Sequence, residues 1–229
     1  MRGPIGAPRP ATAWMSWSSG KDSAFALDAA RRDDPVDVVG LLVTFNGDAD
    51  RVAMHAVRRV LVEAQADRLG LPLHVVELPS PCPNEVYEQR MAAATASALG
   101  QGVGRIVFGD LFLTDVRAYR EQMLAPTGIE PLFPLWGRPT DVLAREMVAA
   151  GVRAVLTCVD PRQLAADFAG RDFDEQLLAD LPDGVDPCGE NGEFHTFVHD
   201  GPIFRRPVGV RAGETVERGG FVFADLLPG

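Results

Sequence analysis

The chain has 229 residues, 46% hydrophobic and 24% charged, which suits one large globular domain or a domain with a small companion. Its 22 basic and 32 acidic side chains leave a net charge of −10, which argues against nucleic acid as the main partner, because gripping a phosphate backbone needs a basic field. Cys82, Cys158 and Cys188 form no C-x-x-C pair, and no run nears the roughly 18 residues of a membrane span, so a reducing cytoplasm is the expected location.

Residues 1–10, rich in Pro, Gly and Arg, read as a mobile tail. The apolar run Ala11–Trp17 predicts a buried first strand, followed by a small-residue turn and a helix over 23–32. The carboxyl end of such a strand in an open α/β sheet is a ligand site. There Ser18, Ser19, Gly20, Lys21, Asp22 and Ser23 offer backbone N–H groups, hydroxyls and one ammonium, and phosphate is the anion that best fits. It is not a Walker A loop, which needs glycine at Met15 and Ser or Thr at Asp22. The same residues would also serve as a plain helix cap with Asp22 or Ser23 at the N-cap. Against that stands composition. Lys21 is the one lysine among 22 basic residues, so this position asks for a compact, rotatable ammonium rather than a planar guanidinium.

Further strands are predicted at Val36–Phe45, Leu73–Leu78, Arg105–Phe108 and Val152–Val159. Between the first two of these, Met54, Val57, Val60, Leu61 and Ala64 recur at three- and four-residue steps and predict an amphipathic helix. Helices follow at 84–99, 114–124 and 139–150, with Gly70, Gly100 and Gly151 as stops. The alternation predicts a parallel sheet covered on both faces. After about residue 160 the texture changes to a short helix near 174–181 and alternating segments at 193–198, 203–210 and 221–224, a small antiparallel unit. The expected division is therefore 11–160 and 161–229. His55 and His74 read as ordinary hydrogen-bonding groups, and Trp14, Trp17 and Trp136 as core or cleft wall.

The loop Ser18-Ser19-Gly20-Lys21-Asp22-Ser23 is similar to the SGGKDS loop of the PP-loop ATP pyrophosphatases, with Ser19 where glycine is usual. A second block, Asp186-Pro187-Cys188-Gly189-Glu190-Asn191-Gly192-Glu193-Phe194-His195-Thr196, continues through Asp200 and Pro202 to Phe204. It resembles the G-E-x-G-E-[FY]-x-T and D-x-P-x-F segments of the diphthine–ammonia ligase family. Phe108-Gly109-Asp110 and Pro134-Leu135-Trp136 are similar as well, so the resemblance covers nearly all of 11–204.

The resemblance implies an α/β fold, with a parallel-sheet HUP-type domain and a smaller C-terminal α+β unit closing over an ATP cleft. It implies an amidation in which a carboxylate is adenylated, ammonia displaces AMP and pyrophosphate leaves. ATP and Mg2+ are the implied cofactors. Ammonium and an unidentified carboxylate are the implied co-substrates, and the arginine-heavy, nearly lysine-free composition favours a small-molecule acceptor. Residues 18–23 with Gly109 and Asp110 would hold ATP, Asp22 and Asp110 would contact Mg2+, and Lys21, Asp22, Glu190 and Glu193 would carry the chemistry. The 189–196 segment also reads as a glycine-turned hairpin with solvated acids. A tRNA-modifying PP-loop sulfurtransferase is the rival enzyme, but it would want a reactive cysteine pair, whereas Cys188 reads as a partly buried, inert thiol. A non-catalytic adenine-nucleotide-binding module is the other alternative.

Overall fold

The computed structural model describes residues 11–33, 36–47, 51–52 and 56–229; the segment 1–10, Met54 and His55 lie outside the described residues. Strands β1 (Ala11–Ser16), β2 (Val36–Asn46), β3 (Arg51–Val52), β4 (Leu73–Leu78), β5 (Arg105–Val107) and β6 (Glu130–Leu132) form one sheet. In it β4 pairs with β2, β2 with β1, β1 with β5 and β5 with β6, all parallel, and β3 is a short antiparallel addition to β2. From β1 the chain steps outward on one side through β2 and β4, then returns to β1's other side for β5 and β6. The carboxyl ends of β1 and β5 therefore flank the switch point where open α/β sheets bind ligands.

The connecting helices are α1 (Lys21–Asp33), α2 (Arg59–Leu69), α3 (Asn84–Gly100), α4 (Thr114–Leu124) and α5 (Thr140–Ala149). Alternation along β1 sends Ala13, Met15 and Trp17 into a core shared with α1, α2 and α5, and Trp14 into a second core under α3 and α4. Trp14 stacks on His74, ring centroids 3.7 Å apart, so His74 is placed here as a packing group. Gly40 makes room for the stack, since a Cβ there would stand 2.7 Å from His74 Nε2.

The structure corrects several expectations. The run Val152–Val159 does not join the parallel sheet: as β7 (Arg153–Val159) it pairs antiparallel with later strands. An unbroken apolar run suits the centre of either kind of sheet, so composition alone does not assign it. The fifth parallel strand is instead β6, which is three residues long and carries Pro131; a proline is tolerated in such a short edge strand but hides it from pattern reading. Helix α2 begins only at Arg59 and buries Leu61, Val62, Gln65, Ala66 and Leu69, whereas Val60 is 49% exposed and Val57 precedes the helix.

The second sheet has the order β8 (Phe194–Asp200), β7, β10 (Phe221–Pro228), β9 (Val210–Arg218), with α6 (Glu175–Asp180) on the approach to it. Asp174 caps α6 by accepting the Leu177 N–H at 2.7 Å. The segment 203–210 is a connection rather than a strand, and only Val210 enters β9. A Gly219-Gly220 turn with φ of 61° and 82° joins β9 to β10, the positive-φ pair that tight hairpins require. The architecture is thus a mixed α/β domain with a mostly parallel sheet and a smaller antiparallel unit. Among the described residues no helix is long and apolar enough to cross a membrane.

Candidate active site

Between β1 and α1 the backbone turns sharply and is held by its own hydroxyls. Ser18 Oγ donates to Ser23 Oγ at 3.2 Å and accepts the Gly20 N–H at 3.3 Å, and Ser23 Oγ donates to the Gly20 carbonyl at 2.9 Å. Helix geometry leaves the first-turn N–H groups without intrahelical acceptors. The N–H of Lys21 is taken by Thr196 Oγ1 at 3.1 Å, and Asp22 and Ser23 follow it in the first turn of α1, the end of a helix that favours an anion. Ser19 adopts φ 71°, the left-handed region that glycine enters without strain. Serine there costs about 1–2 kcal/mol, and its buried Oγ has no hydrogen-bond partner among the described residues.

The strained turn is clamped from two other elements. Gln65 on α2, fully buried, donates to the carbonyls of Ser19 at 3.1 Å and Val198 at 2.6 Å, and accepts from Trp17 Nε1 at 2.9 Å. From β8, the Val198 N–H donates to the Ser19 carbonyl at 3.0 Å. Sequence reading missed Gln65. The available signal was an uncharged polar residue on the same helical face as Leu61 and Leu69.

Lys21 is 1% exposed. Its Nζ donates to both Asp22 oxygens at 3.0 Å and to the Cys188 carbonyl, and lies 5.3 Å from the ring centroids of Phe173 and Phe194. Burial pulls its pKa down, but the Asp22 carboxylate and the other negative groups around it outweigh burial and leave the ammonium held above its ordinary value. The three donors radiate from one nitrogen into a slot between two rings, which is a physical reason for lysine at this position.

In front of the loop lies a cavity of about 440 Å³ lined by Ser18, Asp22, Ser23, Gly109, Asp110 and Glu190, among others. Gly109, just past β5, is forced: a Cβ there would stand 2.9 Å from Ser23 N and 3.0 Å from Asp22 C, both backbone atoms. The exit of β5 thus rests on the start of α1 and delivers Asp110 beside Asp22. Arg120 on α4 contacts Asp110, Nε to Oδ2 at 3.4 Å. Glu190 Oε1 accepts the Leu111 N–H at 2.8 Å. Burial, with the neighbouring Asp22 and Asp110 carboxylates, raises the Glu190 carboxyl to about 7, against the relief given by the Leu111 N–H. Among the described residues no three His, Cys, Asp or Glu side chains stand close enough to hold a metal ion by themselves.

Glu190 and Glu193, paired in the sequence reading, are separated by the fold. Glu193 is 2% exposed, and its Oε1 accepts the Asp186 N–H and Asn191 Nδ2, each at 3.0 Å, so it fastens the turn from the inside while Glu190 faces the cavity. His195 lines the same cavity. The Cys188 thiol contacts the Thr140 carbonyl at 3.4 Å, and burial pushes its pKa far up, the state of an unreactive sulfur.

Comparison with known proteins adds the family. The diphthamide synthase N-terminal domain model matches residues 11–131, and the diphthamide synthase C-terminal domain model matches 139–223, so β7 falls in the second match. A diphthine–ammonia ligase of Danio rerio is 27% identical over 229 residues, covering 91% of this chain and 90% of that protein. The Homo sapiens diphthine–ammonia ligase is 33% identical over 120 residues, 50% of this chain and 45% of the relative. With both halves matched in order and the loop, Gly109-Asp110 and Glu190 gathered at one cavity, the chain belongs to the diphthamide synthase family.

Proposed function

We propose that the chain is a cytoplasmic ATP-dependent ligase that joins ammonia to a carboxylate, releasing AMP and pyrophosphate. The observation that carries the reading is the convergence of the phosphate loop, Asp110 and the near-neutral Glu190 on one cavity at the switch point. In the first step a carboxylate oxygen bonds to the α-phosphorus of ATP, the bond from that phosphorus to its bridging oxygen breaks, and pyrophosphate leaves with the electron pair. In the second, ammonia adds to the acyl carbon, AMP departs, and one proton is lost from nitrogen.

The Asp22 and Ser23 N–H groups and the Ser18 and Ser23 hydroxyls receive phosphate oxygens. Lys21 fixes Asp22 and the loop from behind. Three acidic groups around one cavity, offset in part by Arg120, suit a divalent cation that brings phosphate oxygens with it. Asp22 and Asp110 would hold Mg2+ in that way, and it would neutralise charge building on the triphosphate. Glu190, poised near neutrality, takes the proton from ammonium and leaves the nitrogen lone pair free.

Incubation with ATP, ammonium and a panel of carboxylic acids, with nucleotides separated by chromatography, tests the reading. Acid-dependent AMP and pyrophosphate are expected. ADP as the main product overturns it.

A further inference from the structure

Helices α3 and α4 cover the sheet face formed by Trp14, Leu42 and Ile106, yet they do so poorly. Of the 17 residues of α3 only Thr95 and Ala98 are buried, and of α4 only Leu124. Between the two helices lies a cavity of about 560 Å³, floored by Leu42 and Ile106 and walled by Tyr87, Met91, Tyr119 and Met123. The two tyrosine rings stand 6.4 Å apart. The cleft is open to solvent along the exposed sides of α3 and α4, and its volume is that of a small-molecule site.

The gap is continuous with the nucleotide cavity, because Leu42, Tyr87, Met91, Phe108 and Arg120 line both. Its charges are ordered. Arg120 stands at the shared end, its guanidinium 5.0 Å from the Phe108 ring centroid, while Glu85 and Glu88, from the first turns of α3, line only the outer part. An occupant is thus offered a cation beside the nucleotide, an apolar middle and two carboxylates at the far end.

Resting on the ligase reading above, we infer that the α3–α4 cavity is the acceptor site, and that it takes a monocarboxylic acid with an apolar body and a hydrogen-bond donor, such as an amine, at its far end. Arg120 binds the carboxylate and aims one oxygen at the α-phosphorus; the apolar body lies between the tyrosines; Glu85 and Glu88 accept from the donor and repel a second carboxylate.

The test uses 6-aminohexanoate and the equally long dicarboxylate adipate as probes, in the presence of ATP. Ligand-observed NMR should show 6-aminohexanoate bound and adipate at least tenfold weaker. Ala92→Trp, an exposed α3 position that lines the cavity, should weaken 6-aminohexanoate at least tenfold while leaving the ATP Kd unchanged. Glu88→Lys should narrow or reverse the preference against adipate. Equal binding of both probes, or binding indifferent to Ala92→Trp, overturns the inference. AMP release separates the two readings. Acid-dependent AMP formed equally by wild type and Ala92→Trp keeps the ligase and places the acceptor elsewhere; probes bound in the cavity with no acid releasing AMP remove the ligase reading and, with it, the acceptor role.

Discussion

Glu190→Gln should stabilise the protein and disable it. The carboxyl titrates near 7 in the folded chain against 4.5 in a free side chain, because burial and the Asp22 and Asp110 charges oppose its ionisation. Below about 4.5 both folded and unfolded chains hold the proton. Between 4.5 and about 7 the unfolded chain has lost it and the folded one has not, so stability falls as pH rises through that interval. At about 1.4 kcal/mol per pH unit the whole descent is worth about 3 kcal/mol. Above 7 both states are ionised and the penalty is constant. Glutamine cannot ionise and keeps an oxygen for the Leu111 N–H, so it escapes the penalty. Urea melts of the nucleotide-free protein should show the variant less than about 1 kcal/mol more stable than wild type at pH 5 and about 3 kcal/mol more stable at pH 8, which in thermal melts at pH 8 is a rise of roughly 6–12 °C in Tm. Amide formation should drop at least about a hundredfold, within the range general-base removal gives. A stability difference that is the same at both pH values would refute the reasoning, since it would mean that Glu190 does not titrate between them.

Lys21→Arg puts a broad guanidinium into a slot closed by Phe173, Phe194 and the Cys188 carbonyl, and should cost about 1–3 kcal/mol in melting and weaken ATP at least tenfold by calorimetry. Wild-type values for both would remove the slot argument. Gly109→Ala, whose Cβ would press on the backbone at Ser23 and Asp22, should weaken ATP about tenfold or more with a smaller change in Tm, and an unchanged Kd would show that the two backbones need not approach so closely. Gln65→Leu strands the buried Trp17 Nε1–H and removes a donor from the Val198 carbonyl, while the Ser19 carbonyl keeps the Val198 N–H, so thermal melts should fall by at least about 4 °C; a drop under about 2 °C would make the clamp energetically idle.

The tight polar turn at 18–23 was legible because its residues are local: hydroxyls, glycine and the single lysine stand side by side at a strand end. The different placements of Glu190 and Glu193 were not, because both precede β8 in a turn where Gly189 and Gly192 take φ of 71° and 85°, and no helical or strand period assigns turn side chains to a face. Gln65 stayed hidden for a different reason. A polar residue on a helix reads as solvated until the partners that bury it are known, and here they come from β8 and from the loop itself. β7 was visible as a strand but not as a member of the second sheet, since its partners β8 and β10 begin 35 or more residues later. Long-range pairing is what one chain read in order supplies least.

The clamps on the phosphate loop also set when it can form. Lys21 meets Thr196 across 175 residues and Cys188 across 167, and Gln65 meets Val198 across 133. Contacts so distant in sequence close late, after the loop entropy between them has been spent. A chain still being synthesised has β1 and α1 from the start, but it lacks the grip on Ser19 and Lys21 until β8 has emerged and docked. Saturating ATP, worth about 2.7 kcal/mol at a hundred times its Kd, should accordingly retard unfolding of β8 and α1 together rather than of the first half alone.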